Sequence, residues 1–99
     1  MISIKIHRTY RTVVAICDSN IIGKKFEEGI RQLNLKENFY REKEISQDEA
    51  VEIIKKEALE DATFNIVGKE SIQAAVKAGL INEKDIGKIR GIPFILTLL

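Results

Sequence analysis

Cys17, His7 and the turn Gly68-Lys69-Glu70-Ser71 are the places where residue type and spacing could do chemistry. Cys17 stands where a strand is expected to feed a helix N-terminus, a position at which backbone N–H groups and the helix dipole lower a thiol pKa. The same position also suits a small buried thiol that does no chemistry. The only histidine, His7, belongs to a hairpin expected to turn at Thr9-Tyr10, which pairs it with Thr12. Five strand residues then separate it from Cys17, roughly 17 Å at ~3.3 Å per residue, so a Cys-His dyad is excluded under that pairing. No residue is assigned a catalytic role.

The Gly68 turn is similar to the end of a phosphate loop. Thr63 stands where that motif needs its first glycine, and Glu70 stands where it needs a hydroxyl, so a nucleoside-triphosphate site is excluded. A strand-Gly-helix turn still offers free N–H groups to one anion, or the glycine serves the turn alone. One Cys and one His cannot supply the four ligands of a protein-only zinc site, and no cofactor is implied. Of the carboxylate pairs Glu27-Glu28 and Asp48-Glu49, the second sits near a helix start, where the dipole explains it without acid-base work. For nucleic acid the candidates are Lys5, Arg8, Arg11, Lys24, Lys25, Arg31 and Lys36, with Tyr10, Phe39 and Tyr40 as stacking groups. Arg8 and Arg11 flank a turn, which suits phosphate contact. An ordinary basic surface with aromatics packed at its rim is the competing reading.

These residues need elements to hold them. Ile2, Ile4 and Ile6 alternate with polar residues, which predicts a strand over 2–8 with one wet face. Thr12 to Cys17 is β-branched and apolar on both faces, and reads as a central strand. Asp18-Ser19-Asn20 offers N-caps, and Ile21, Ile22, Lys25 and Phe26 follow at helical spacing, so a short helix is expected to end at Gly29. Leu33 and Leu35 suggest a weak strand over 30–36, and 36–40 reads as a polar loop. Ser46-Gln47-Asp48-Glu49 is a capping box, with Ile45 able to staple onto Ala50, and the spacing predicts a helix over 47–60. On it Ala50, Ile53, Ile54 and Ala58 mark the buried face, while Glu52, Lys55, Lys56, Glu57 and Glu60 read as solvated. Thr63 to Val67 is a strand closed by Gly68, and a helix follows to Gly79. Asn82 caps one short turn through Asp85, and Pro93 opens an apolar strand over 94–99. The expected fold is α+β, a small mixed sheet of about five strands with three helices in the order β-β-α-β-α-β-α-β, in one domain over residues 1–99.

Sixteen basic against fifteen acidic residues leave a net charge of +1, which excludes a strongly basic protein and leaves RNA binding permitted rather than indicated. The distribution is uneven, because residues 1–36 carry seven Lys or Arg against three acids while residues 37–62 carry nine acids against four bases. A lone Cys makes no internal disulfide and fits a reducing cytoplasm. The chain opens on an alternating strand rather than a basic leader, and its apolar runs fall far short of the ~20 residues that span a bilayer, so neither signal peptide nor membrane partner is expected.

Read together, Cys17-Asp18-Ser19-Asn20-Ile21-Ile22-Gly23-Lys24-Lys25-Phe26-Glu27-Glu28-Gly29 resembles the signature of a small archaeal family, domain of unknown function 424. Phe39-Tyr40, Glu49-Ala50, Asn65-Ile66-Val67-Gly68, Gly79-Leu80-Ile81 and Gly91-Ile92-Pro93 are similar to its remaining landmarks, in order over nearly the whole chain. After Pro93 the family pattern continues with a His and polar residues, whereas this chain has Phe94-Ile95-Leu96, so no role for that His carries over. The resemblance implies an archaeal cytoplasmic protein with an α+β fold, no assigned activity, and an association with translation. Gly23 beside Lys24 suggests close approach of a backbone or ligand, since glycine costs a helix about 1 kcal/mol. A ligand or anion site is then expected from Asp18, Gly23, Asn65, Gly68 and Lys69, where the helix starts at Asp18 and Gly68 converge. The leading expectation is a binding module for RNA or the ribosome using Lys5, Arg8, Arg11, Lys24 and Lys25. The alternatives are docking to a protein partner or to itself through residues 94–99, and, third, an anion-binding or thiol enzyme centred on Cys17.

Overall fold

The alternating isoleucines form β1 (Ile2–His7), and the apolar run forms β2 (Val13–Asp18), paired antiparallel. His7 faces Val13, so residues 8–12 make the connection, and the Thr9-Tyr10 turn with its His7–Thr12 pair is not formed. The difference of one residue decides which side chains share a face: Ile4 lies beside Ile16 and Ile6 beside Val14, so the isoleucines of both strands bury together. The computed structural model describes residues 1–97. In it β2 also pairs in parallel with β6 (Thr63–Val67), which pairs antiparallel with β8 (Ile92–Thr97). Short edge strands, β5 (Lys43–Ile45) beside β1 and β7 (Gly87–Ile89) beside β8, complete a six-stranded mixed sheet ordered β5-β1-β2-β6-β8-β7.

Both faces of the sheet are covered. One face, with Ile4, Val14, Ile16, Phe64, Ile66 and Ile95, packs against α2 (Gln47–Leu59) and α3 (Lys69–Lys77) through Ala50, Ile54, Ile72 and Ala75. Each fully buried isoleucine there contributes roughly 1.5–3 kcal/mol. The capping box forms as read, with Ser46 Oγ accepting from the Glu49 N–H at 3.2 Å and Glu49 reaching back to the Ser46 N–H at 3.3 Å. The opposite face, with Ala15, Cys17 and Val67, is closed by Phe26, Leu33, Leu35 and Tyr40. Those four come from a second sheet of two strands, β3 (Lys25–Glu28) and β4 (Arg31–Asn34), from Leu35 just after it, and from α1 (Glu37–Tyr40).

The fold is α+β, and the main departure from expectation lies at 18–29. In place of a helix, Ser19–Ile21 makes one 3-10 turn and the chain enters the β3–β4 hairpin, with Phe26 opposite Leu33 and Gly29-Ile30 as its turn. Gly23 is the reason: its φ of +86° lies outside the right-handed helical region, and its N–H donates to Leu35 O at 2.6 Å. A Cβ there would meet open space, so the close approach expected at Gly23 is not present and backbone angle alone selects glycine. The loop expected over 36–40 holds α1, and β5 and β7 raise the strand count above five. The C-terminal run enters the sheet between β6 and β7, while Leu98 and Leu99 of the expected strand lie outside the described residues. Among the described residues no helix is long and apolar enough to cross a membrane.

Gly68 carries a stricter demand. Its φ of 110° and ψ of 156° lie in a region essentially confined to glycine, and an added Cβ would collide with the Asp18 carboxylate. Gly68→Ala should therefore cost roughly 3 kcal/mol or more, against about 1 kcal/mol for Gly23→Ala. Urea unfolding of the two variants checks the order, and equal losses would contradict it.

Candidate functional site

β2 and β6 are parallel neighbours with Cys17 opposite Val67, so Asp18 and Gly68 end side by side. Asp18 Oδ1 accepts from the Ser71 N–H at 2.8 Å and from Ser71 Oγ at 2.7 Å, and Oδ2 accepts from the Glu70 N–H at 3.1 Å. A carboxylate at a helix N-terminus satisfies orphan donors and opposes the helix dipole. The anion at the start of α3 is thus the protein's own. Lys69 borders the same end, where the Met1 amino group pairs with Glu70 at 3.3 Å. Of the five residues expected to form one ligand site, Asp18, Gly68 and Lys69 come together. Gly23 lies beyond the 3-10 turn, and Asn65 lies back along β6 on the hairpin-covered face, where its Oδ1 accepts from Tyr40 Oη at 2.8 Å.

Cys17 is fully buried and its thiol donates to Asp18 O at 3.4 Å. Burial first, and the Asp18 carboxylate second, push its pKa up to about 12, the direction opposite to an activated nucleophile. The expected helix dipole is missing because no α-helix follows Cys17. His7 Nε2 lies 2.9 Å from Phe39 O, and its ring stacks on Phe39 with centroids 4.7 Å apart. Cys17 is opposite Ser3 and His7 opposite Val13, so four residues of strand, roughly 13 Å, still separate thiol and imidazole. Among the described residues no group of three His, Cys, Asp or Glu is placed to hold a metal.

The basic residues divide between two ends of the sheet. Arg8 and Arg11 lie in the 8–12 loop before β2, whereas Lys24 and Lys25 follow its far end, with Lys25 paired to Glu27 at 3.2 Å. Lys5 lies between them on β1 and donates to Asn38 O at 2.9 Å. Arg31 lies over the Phe94 ring, 5.6 Å from its centroid. Tyr10 at the loop tip is fully exposed, while Phe39 and Tyr40 are turned inward on α1.

A family model described as protein of unknown function DUF424 matches residues 6–98. The chain belongs to the DUF424 family. Its fold is similar to the crystal structure of an uncharacterized conserved protein from Methanopyrus kandleri, at 28% identity and a TM-score of 0.87, covering 97% of this chain and 89% of that one. No curated protein matches the chain.

In this DUF424 chain two polar pairs escaped the reading of the sequence. Tyr40–Asn65 spans two elements with no local signature. Glu57, read as solvated, is buried on α2 and receives both ends of the Arg8 guanidinium, at 3.1 and 2.9 Å. Its spacing from Ala50 and Ile54 places it on the apolar stripe, and an acid at such a position signals a paired charge. The Arg8 hydrogen bond holds the Glu57 carboxyl below its ordinary pKa, against the opposing effect of burial, and the Arg8 guanidinium is raised in turn. Because the folded pKa lies below the unfolded one, the pair's contribution is present above the ordinary carboxylate range and is lost as pH falls through the lowered value. Wild type should thus be more stable than Glu57→Gln at neutral pH, and the two should converge in acid. Thermal unfolding across that range checks this, and a gap of constant size would contradict it.

Proposed function

We propose that this DUF424 protein is a binding module of the archaeal cytoplasm, without catalytic chemistry of its own, that contacts RNA or a ribonucleoprotein through the 8–12 loop. The observation that carries the reading is a fully exposed Tyr10 that lies between Arg8 and Arg11 in the loop sequence, with Arg8 braced by a buried acid. An aromatic ring in water at a loop tip offers a stacking face to an unpaired base, and a flanking guanidinium offers directed bonds to phosphate. The Glu57 pair occupies two of the five guanidinium N–H groups and fixes the plane of the rest. Ordering Arg8 in advance lowers the entropy cost of the contact.

The interface is narrower than the sequence suggests, because Lys24 and Lys25 lie beyond the other end of β2. Glu60 and Asp61 border the loop, so the local field is mixed and binding rests on stacking and directed bonds more than on bulk positive potential. The competing reading, a protein partner at the C-terminal strand, has one observation in its favour: Leu96 on β8 is 60% exposed. Its main chain, however, already pairs with β6.

With two phosphates contacted, log affinity for a short single-stranded RNA should fall against log salt with a slope of about −1.4. Tyr10→Ala should weaken binding by about tenfold or more, while Lys24→Ala with Lys25→Ala should change it little. Fluorescence anisotropy with a labelled oligoribonucleotide measures all three. Undetectable binding at low salt, or a Tyr10→Ala variant that binds as well as wild type, would overturn the reading and direct attention to protein partners of β8.

A further inference from the structure

On the hairpin-covered face, a groove of about 270 Å³ is bordered by Gln32, Asn34, Tyr40, Asn65, Phe94 and Leu96. Asn65 is the anomaly. Asparagine is disfavoured within a central strand, and here it stands between Ala15 on β2 and Leu96 on β8. Its Oδ1 is used by Tyr40, and among the described residues its amide nitrogen, with two N–H donors, has no hydrogen-bond partner.

The wall opposite is also unpaired. In a hairpin with a two-residue turn, Glu28–Arg31 and Phe26–Leu33 are the pairs that exchange main-chain bonds, which turns the N–H and C=O of Gln32 and Asn34 toward the open edge of β4. The groove therefore combines unpaired donors, unpaired acceptors and the apolar surface of Phe94 and Leu96, with no charged residue on its border. A neutral, flat group carrying both donors and acceptors fits that chemistry. The volume lies just below the range of roughly 300–1,000 Å³ usual for small-molecule sites, which suits one ring system better than a peptide strand.

We propose that this groove holds a single unpaired nucleobase, its edge bonded to Asn65 and the β4 main chain and its face resting on Leu96. The inference deepens the RNA reading and rests on it for the source of the base. Asn65 lies beside Ala15, three residues along the chain from Thr12, so groove and loop are on the order of 10 Å apart along the strand direction. One RNA strand can reach both.

The test is ¹H–¹⁵N NMR with single nucleosides and, separately, with a short oligoribonucleotide, on wild type, Asn65→Asp and Tyr10→Ala. Asn65→Asp keeps the acceptor that Tyr40 needs and removes the free donor. Should that variant fail to fold, Leu96→Lys, at an exposed position, blocks the groove instead. The expected result is movement of the Asn65 side-chain and the Gln32 and Asn34 main-chain signals in wild type and in Tyr10→Ala, with affinity about tenfold lower in Asn65→Asp. If only the oligoribonucleotide moves them, the base is held as part of a strand and the proposal stands. Groove signals that stay fixed with both ligands overturn it. Movement confined to the 8–12 loop overturns it too, while leaving the loop reading intact. A response to an uncharged peptide but to no base replaces it with strand addition at β4.

Discussion

The contact between Asp18 and the first turn of α3 is the constraint from which much of the architecture follows. It joins the ends of two parallel strands separated by about fifty residues of chain, and it fixes the direction in which α3 leaves the sheet. Its closeness demands glycine at 68. Without it, the Glu70 and Ser71 N–H groups and the buried Ser71 hydroxyl would lack the acceptor they use, a deficit of roughly 1–3 kcal/mol for each buried group left unpaired. It also decides what the helix N-terminus does in this protein, because the field that could attract a ligand's anion is answered from within.

The same internal use of polar groups recurs over the molecule. His7 and Lys5 spend their nitrogens on carbonyls of α1, Ser3 bonds Ser19, and Glu57 holds Arg8. Burial keeps the Cys17 thiol protonated. Outside these internal pairs, Tyr10 is fully exposed at the tip of the 8–12 loop, and Asn65 borders the groove beside β4.

Segments whose signals are local were legible in the sequence. The capping box before α2, the Gly68 turn into α3 and the alternating isoleucines of β1 each form where their residues predict. The stretch at 21–29 was not, since Ile21, Ile22 and Phe26 satisfy helical spacing and also supply the inward residues of a turn and a hairpin; only the backbone angle at Gly23 separates the two. β7 has three residues, too few to show a period, and is held by its pairing with β8. The meeting of Asp18 with Gly68 was legible, because both close adjacent strand-to-turn segments. That the Asp18 side chain itself would fill the site was not, since it depends on the parallel register of β2 and β6. Glu57 and Asn65 were misread or left unexplained for the same reason: their partners, Arg8 and Tyr40, are far away in sequence.

The most direct test is thermal unfolding of wild type and Asp18→Ala across a phosphate series at constant ionic strength. If Asp18 is the resident anion of α3, wild type should show no phosphate dependence from this end. Asp18→Ala should be destabilised and then recover part of its loss as phosphate takes the vacated N–H groups. An Asp18→Ala variant as stable as wild type, or a variant whose loss phosphate does not touch, would contradict the account.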